Sequence, residues 1–205
     1  MTFWNQAYDM ADYKYGTAPN AFVRAQSALL RPGSRVLVPG DGEGRNGVWL
    51  ATQGHDVLSV DGSSVGLAKA RTLADRHGVP LATECADLAH WTPAPESFDA
   101  VVLTYVHLPS SIRTDVHRRL AAALRPGGWL ILEAFTPLQL GYTSGGPKDP
   151  DMLYTTAALT QDFSGLLREE IVREGVVTLD EGPGHQGPAH VVRWLSQAPA
   201  RGEAA

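Results

Sequence analysis

Short apolar runs alternate along this chain with segments whose apolar residues recur every three or four positions. Val36-Leu-Val38 is a run suited to a strand buried on both faces. It passes Pro39 into a turn with Gly40, Gly42 and Gly44, then into a helical pattern over 47–53 that stops at Gly54. A second run, 56–60, leads to Asp61. Ser63 is placed to cap a helix from Val65 to His77, which Gly78-Val-Pro80 ends. Leu81 to Ala86 reads as a third strand with Asp87 directly after it. Residues 89–97 form a loop, and Phe98 to Thr104 is a fourth strand with an exit loop over 105–111. Ile112 to Leu124 is a helix stopped by Arg125-Pro-Gly-Gly128, and Trp129 to Phe135 is a fifth strand.

Strands and helices that alternate over 35–135 predict an α/β fold with a parallel sheet and right-handed crossovers. Ligands then bind beyond the carboxyl ends of the strands. The pattern changes after Pro137. A Gly- and Pro-containing loop runs to Asp151, and Tyr154 to Leu167 reads as a helix. Glu170 to Leu179 and Ala189 to Leu195 are β-rich runs with no room for a helix between them, so they pair antiparallel. At the other end, Asn20 precedes a helical pattern over 21–30. Before it, Phe3, Trp4, Tyr8, Tyr13 and Tyr15 form an aromatic arm over residues 1–20, read either as packing or as a lid over a ligand. One domain spans 1–197, and 198–205 is expected to be a disordered tail.

Composition narrows the function more than the fold. The 205 residues carry a net charge of −5, and the basic residues of 113–125 are spread along a helix, which argues against a nucleic-acid partner. No stretch approaches the roughly 20 apolar residues that span a bilayer, and the N-terminus lacks the basic start and apolar run of a signal peptide. A single cysteine, Cys85, excludes an internal disulfide and suits a cytoplasmic location. Its place on a predicted strand makes it a buried core residue rather than a nucleophile. No metal site is expected.

The glycine turn makes a place where a ligand can lie against bare backbone. Asp61, about 20 residues after the first glycine, suits the hydroxyls of a ribose. A dinucleotide turn needs glycine at 45, where Arg45 stands, and a phosphate-cradling loop would need Gly-Lys-Ser/Thr after it.

Five segments, VLVPGDGEGRN (36–46), VLSVDGS (57–63), CADL (85–88), FDAVVLTYVHL (98–108) and LRPGGWLILEAF (124–135), resemble class I S-adenosylmethionine-dependent methyltransferases. With YKYGTAPNAF (13–22) and EAFTPLQLGYTSGGPKDPDMLYT (133–155), the chain is similar to small bacterial enzymes grouped with tellurite-resistance and thiopurine methyltransferases. The resemblance implies a Rossmann-like, doubly wound, mostly parallel seven-stranded sheet with a C-terminal antiparallel hairpin. It implies S-adenosylmethionine as cofactor. Gly40, Gly42 and Gly44 would approach its methionine part, Asp61 would accept from both ribose hydroxyls, and Asp87 from the adenine amino group. The Leu88 amide would face the ring, and the Thr104–Tyr105 turn would meet the methionine amino group. Asp41, Glu43, Asn46, Gly62 and Ser63, on the same turns, are expected cofactor contacts, with Tyr15 and Trp4 closing over them. The family's acid before the glycines is replaced by Val38, followed by Pro39.

The acceptor is expected to be a small molecule. A soft nucleophile (a thiol, or a selenium or tellurium oxyanion) needs no base, whereas a hydroxyl or amine does. His107 is the candidate base, with Tyr105 lining the same pocket. His185 is either a second pocket residue or a turn residue, and Arg45 either binds an anionic acceptor or packs against the first helix. Tyr142 and Gly145-Gly146 are candidates for the opposite wall. The rival function is a non-catalytic module that binds a nucleoside cofactor and regulates a partner.

Overall fold

The apolar runs become seven strands of one sheet: β1 (Arg35–Pro39), β2 (Asp56–Asp61), β3 (Ala82–Cys85), β4 (Phe98–Thr104), β5 (Leu124–Phe135), β6 (Arg168–Asp180) and β7 (Gln186–Gln197). In the computed structural model, which describes residues 3–203, their spatial order is β3-β2-β1-β4-β5-β7-β6. The first five run parallel, and β7 inserts antiparallel between β5 and β6. This is the Rossmann-like seven-stranded sheet that the resemblance implies, with the antiparallel C-terminal pair read from the residues.

Among the described residues, six α-helices accompany the sheet: α1 (Phe3–Tyr8), α2 (Ala21–Gln26), α3 (Arg45–Thr52), α4 (Ser64–His77), α5 (Ser110–Ala122) and α6 (Thr156–Phe163). Successive strand residues point to opposite faces. Leu37, Val101, Leu103 and Leu132 pack with Val116 and Leu120 of α5 and with Leu159 and Phe163 of α6. Val36, Val38, Val102 and Ile131 pack on the other face with Phe22 and Val23 of α2 and Leu50 of α3. Val38, just ahead of the glycine turn, is therefore a core residue with 1% of its surface exposed.

Three expectations change. Cys85 is exposed, because β3 is the sheet edge and pairs only with β2. The helix expected over 21–30 ends at Gln26 and tightens into a 3-10 turn over Ser27–Leu29. The fold continues past residue 197. Ala198 is buried, its N–H donates to the Gly128 carbonyl at 2.8 Å, and its carbonyl accepts from the Gly127 N–H at 3.0 Å. Positions 1, 2, 204 and 205 of the expected arm and tail lie outside the described residues.

Candidate active site

A cavity of about 850 Å³ opens where the carboxyl ends of β1, β2, β4 and β5 meet the N-terminal arm. Its size is ordinary for a small-molecule or cofactor site. Its lining includes Asp61, Gly62, Asp87 and Leu88, where the paired β2 and β3 finish, and a far group of Tyr105, His107, Phe135 and His185, whose rings pack together, with Met152 bonded to His107.

Asp61 is buried at the end of β2. Its Oδ2 accepts from the Gly42 N–H at 2.8 Å and its Oδ1 from the Ser63 N–H at 2.7 Å. Burial pushes its carboxyl above the ordinary range against those two bonds. Each oxygen keeps a lone pair for a ligand hydroxyl. Asp87 is exposed at the cavity rim, and the Ala89 N–H at 2.9 Å holds its carboxyl below the usual range.

The glycine turn divides into two roles. Gly40 lines the cavity, as do Asp41, Glu43 and Asn46. Gly42 and Gly44 do not. A Cβ at 44 would lie 2.5 Å from the Ala70 Cβ, so this glycine lets α3 sit against α4. A Cβ at 42 would lie 2.5 Å from the Tyr8 hydroxyl, which brings the arm down onto the turn.

The acids of the turn are tied to protein groups. Asp41 accepts from Ser59 Oγ at 2.5 Å and from the Gly47 N–H at 3.3 Å, and burial raises its pKa to about 6. Glu43 pairs with Lys69 and accepts from the Lys14 N–H at 2.8 Å. Asn46 Oδ1 accepts from the Asn20 N–H at 2.9 Å. Ser63 is away from the cavity: its Oγ accepts from the Gly66 N–H at 3.0 Å as the cap of α4 and donates to Asn5 at 2.7 Å. Ser63→Ala should therefore cost about 1 kcal/mol in a denaturant melt and leave cofactor affinity unchanged by calorimetry. Weakened binding would return Ser63 to the site.

At the far end two glutamates organise the polar groups. Glu133 Oε1 accepts from the Tyr105 hydroxyl at 2.6 Å and Asn20 Nδ2 at 2.7 Å, and Oε2 pairs with Arg193. Glu181 Oε1 accepts from Asn20 Nδ2 at 3.0 Å, and Oε2 from Arg45 Nη2 at 2.9 Å. Burial opposes its ionisation, but His185 and Arg45 outweigh it and hold the carboxyl at about 2. Tyr105 has a left-handed φ of 55°, unusual for a bulky residue and the kind of strain that collects at functional sites. Its ring stacks on Phe135 at 4.5 Å.

His107 does not present a free base. Its Nδ1 lies 2.6 Å from the Met152 carbonyl, which can only accept, so Nδ1 carries the proton. Its Nε2 lone pair takes the Phe135 N–H at 3.3 Å. Burial lowers its pKa to about 4. The histidine thus pins the loop at Met152 to the end of β5. Among the described residues, the buried Thr104 Oγ1 and Arg45 Nη1 of the cavity lining have neither a hydrogen-bond nor an ion-pair partner.

Phe3 and Tyr8 of the expected aromatic arm line the cavity, and so do Lys14, Val106 and Leu108, which lie within the motif segments but were not singled out there. Trp4 and Tyr15, expected as a cover, also line the cavity, as does Gly146. Asn20, Glu133 and Glu181 act through tertiary contacts. Glu133, near the end of a predicted strand, and Asn20, just ahead of a predicted helix that it does cap, carried a positional signal; Glu181 did not. Among the described residues, no three His, Cys, Asp or Glu side chains are grouped to hold a metal ion, and no helix is long and apolar enough to cross a membrane.

Residues 36–128 match the family described as "Methyltransferase domain". The chain is 27% identical over 130 residues to hemagglutinin 1 of Eikenella corrodens, covering 60% of this chain and 43% of that protein. It is 33% identical over 105 residues to methyltransferase GfsG of Streptomyces halstedii, covering 49% and 37%. The chain thus spans about two-fifths of the length of these two curated relatives. It superposes with a TM-score of 0.77 and 19% identity on a structure described as "Conversion of a disulfide bond into a thioacetal group during echinomycin biosynthesis", covering 95% of this chain and 88% of the other. TehB from Haemophilus influenzae gives 0.70 and 17%, covering 96% and 66%. At these identities the two structures establish the fold.

Proposed function

We propose that the chain, which carries a methyltransferase domain on the class I S-adenosylmethionine-dependent fold, transfers a methyl group to a small-molecule acceptor. The observation that carries this reading is one cavity joining a nucleoside-type end at Asp61 to an aromatic and histidine-lined end at Tyr105 and His185. The residues fit the cofactor. Asp61 offers lone pairs to ribose hydroxyls, and the orphaned Thr104 hydroxyl suits a polar group at the methionine end. Arg45 Nη1 and Lys14 are the cations available for its carboxylate. Leu88 and the rim acid Asp87 flank the base.

When bound, S-adenosylmethionine supplies an electrophilic methyl group on a sulfonium, so the protein contributes positioning and exclusion of water. Tyr8, Trp4 and Tyr15 cover the site from the arm. Asn20 ties that arm to both glutamates. His107 and Phe135 shape the acceptor wall rather than move protons. A soft acceptor, such as a thiol or a selenium or tellurium compound, suits a far end with little free charge. The acidic balance of the chain supports a small molecule over a nucleic acid, and the lone Cys85 supports a reducing, cytoplasmic setting.

Calorimetry should detect S-adenosylmethionine binding and none of NAD. Release of S-adenosylhomocysteine with a small acceptor then separates an enzyme from a cofactor-binding regulator. Absence of S-adenosylmethionine binding overturns the reading.

A further inference from the structure

We propose that Glu181 is a positioning residue that holds His185 with its Nε2 lone pair free to the cavity, and that His185 takes the proton of a protic acceptor, namely a thiol, selenol or phenol. This deepens, and rests on, the methyltransferase reading above. The turn that carries both residues is closed by two backbone hydrogen bonds: the Glu181 N–H donates to the His185 carbonyl at 2.9 Å and the His185 N–H to the Gly182 carbonyl at 3.2 Å. Glu181 Oε2 lies 3.4 Å from His185 Nδ1. A carboxylate only accepts, so the proton sits on Nδ1 and the lone pair on Nε2. Nε2 makes no hydrogen bond among the described residues, and the ring lines the cavity between Tyr15 at 4.4 Å and Tyr105 at 4.6 Å. His107, by contrast, has spent its lone pair on the Phe135 N–H.

The charged and titratable groups around the ring are Glu181, Arg45, Glu133, Tyr15, Tyr105 and His107. Arg45 pairs with Glu181 and Arg193 with Glu133, so each of these two guanidiniums already faces a glutamate. Burial favours the neutral imidazole and Glu181 opposes it; the balance lies below the ordinary histidine range. His185 is then neutral and able to accept at neutral pH. In the step, the proton moves from the acceptor to Nε2 and the electron pair of that bond becomes the new bond to carbon. The pair of the broken carbon–sulfur bond stays on sulfur. His185 ends as imidazolium beside Glu181, which stabilises it.

Nitrogen-15 imidazole NMR of the ligand-free protein reads the tautomer without turnover, with His185→Asn to assign the signal. The expected result is an Nδ1–H tautomer whose ionisation falls to lower pH in Glu181→Gln. An Nε2–H tautomer in the wild type overturns the proposal even if the variant fails to fold, and so does an ionisation unchanged in a folded variant. With S-adenosylmethionine, kcat/KM for an alkanethiol should rise about tenfold per pH unit below the His185 ionisation and level above it, with the break shifted in Glu181→Gln. Methylation of selenite with no protic acceptor used also overturns it. Failure of S-adenosylmethionine to bind would instead sink the methyltransferase reading itself.

Discussion

Asp162→Ala is expected to lower the unfolding free energy by about 3–5 kcal/mol, the range for removing one member of a buried ionic network. Asp162 closes α6 onto α5 with its side chain fully buried. It accepts from Arg113 Nε at 2.7 Å, Thr114 Oγ1 at 2.6 Å and His117 Nδ1 at 2.8 Å. Alanine leaves the Arg113 guanidinium, with only 12% of its side chain exposed, without its partner. It also leaves His117, whose Nε2 is already buried and unpaired, with no acceptor on either nitrogen. Burial disfavours the ionised Asp162, and its three hydrogen bonds outweigh this and hold the carboxyl well below the usual range. A carboxyl depressed in the folded state contributes stability above the unfolded value of about 3.9, and that stability is lost as pH falls through the folded value. Burial also lowers His117, so the fold loses stability as pH falls below about 6.5. Both groups steepen acid unfolding, and Asp162→Asn should remove the limb below pH of about 4. Urea melts from pH 7 to 3 check this. Neither Asp162 nor Arg113 lines the cavity, so cofactor affinity should not change in the folded variant. A loss below about 1 kcal/mol would place the clasp among weak surface pairs.

The sheet was legible because its central strands β1 and β4 are buried on both faces and so carry continuous apolar runs, Val36–Val38 and Ala100–Leu103. The hairpin was legible by exclusion, since the nine residues between its strands admit no helix. Edge position was not legible: the run that holds Cys85 reads the same whether one neighbour or two flank the strand. Asp61 could be placed because it closes a strand beside the glycine turn. The role of His107 could not, because it depends on how the exit of β4 meets the Phe135 N–H and a carbonyl 45 residues away. Glu181 lies in a turn without periodicity, and its meaning appears only when Arg45, Asn20 and His185 converge on it. Likewise nothing local couples Asp41 to Ser59, 18 residues on.

Asp61→Ala is expected to weaken S-adenosylmethionine binding by about 1.5–3 kcal/mol, the range for hydrogen bonds to a charged group, or about 10- to 150-fold in Kd. The carboxylate also carries a structural duty, because its two oxygens hold the Gly42 and Ser63 N–H groups and so set both turns of the site. Alanine therefore removes a ligand contact and loosens the turns together. Asp61→Asn separates the two effects. It retains one acceptor oxygen for a turn amide while giving up the charge and the second acceptor. If the ribose contact dominates, Asp61→Asn loses most of the affinity with a small change in its denaturation midpoint. If the turns dominate, affinity and stability fall in step. Acidity supplies an independent check. Burial has raised the Asp61 carboxyl above its ordinary range, and only the ionised form offers both oxygens as acceptors. Affinity should then decline as pH falls through that raised value, at a pH where an exposed aspartate would still be charged, and the decline should vanish in Asp61→Asn. An affinity independent of pH in the wild type and unchanged in folded Asp61→Ala would remove Asp61 from the ribose, and with it the nucleoside end of the cavity.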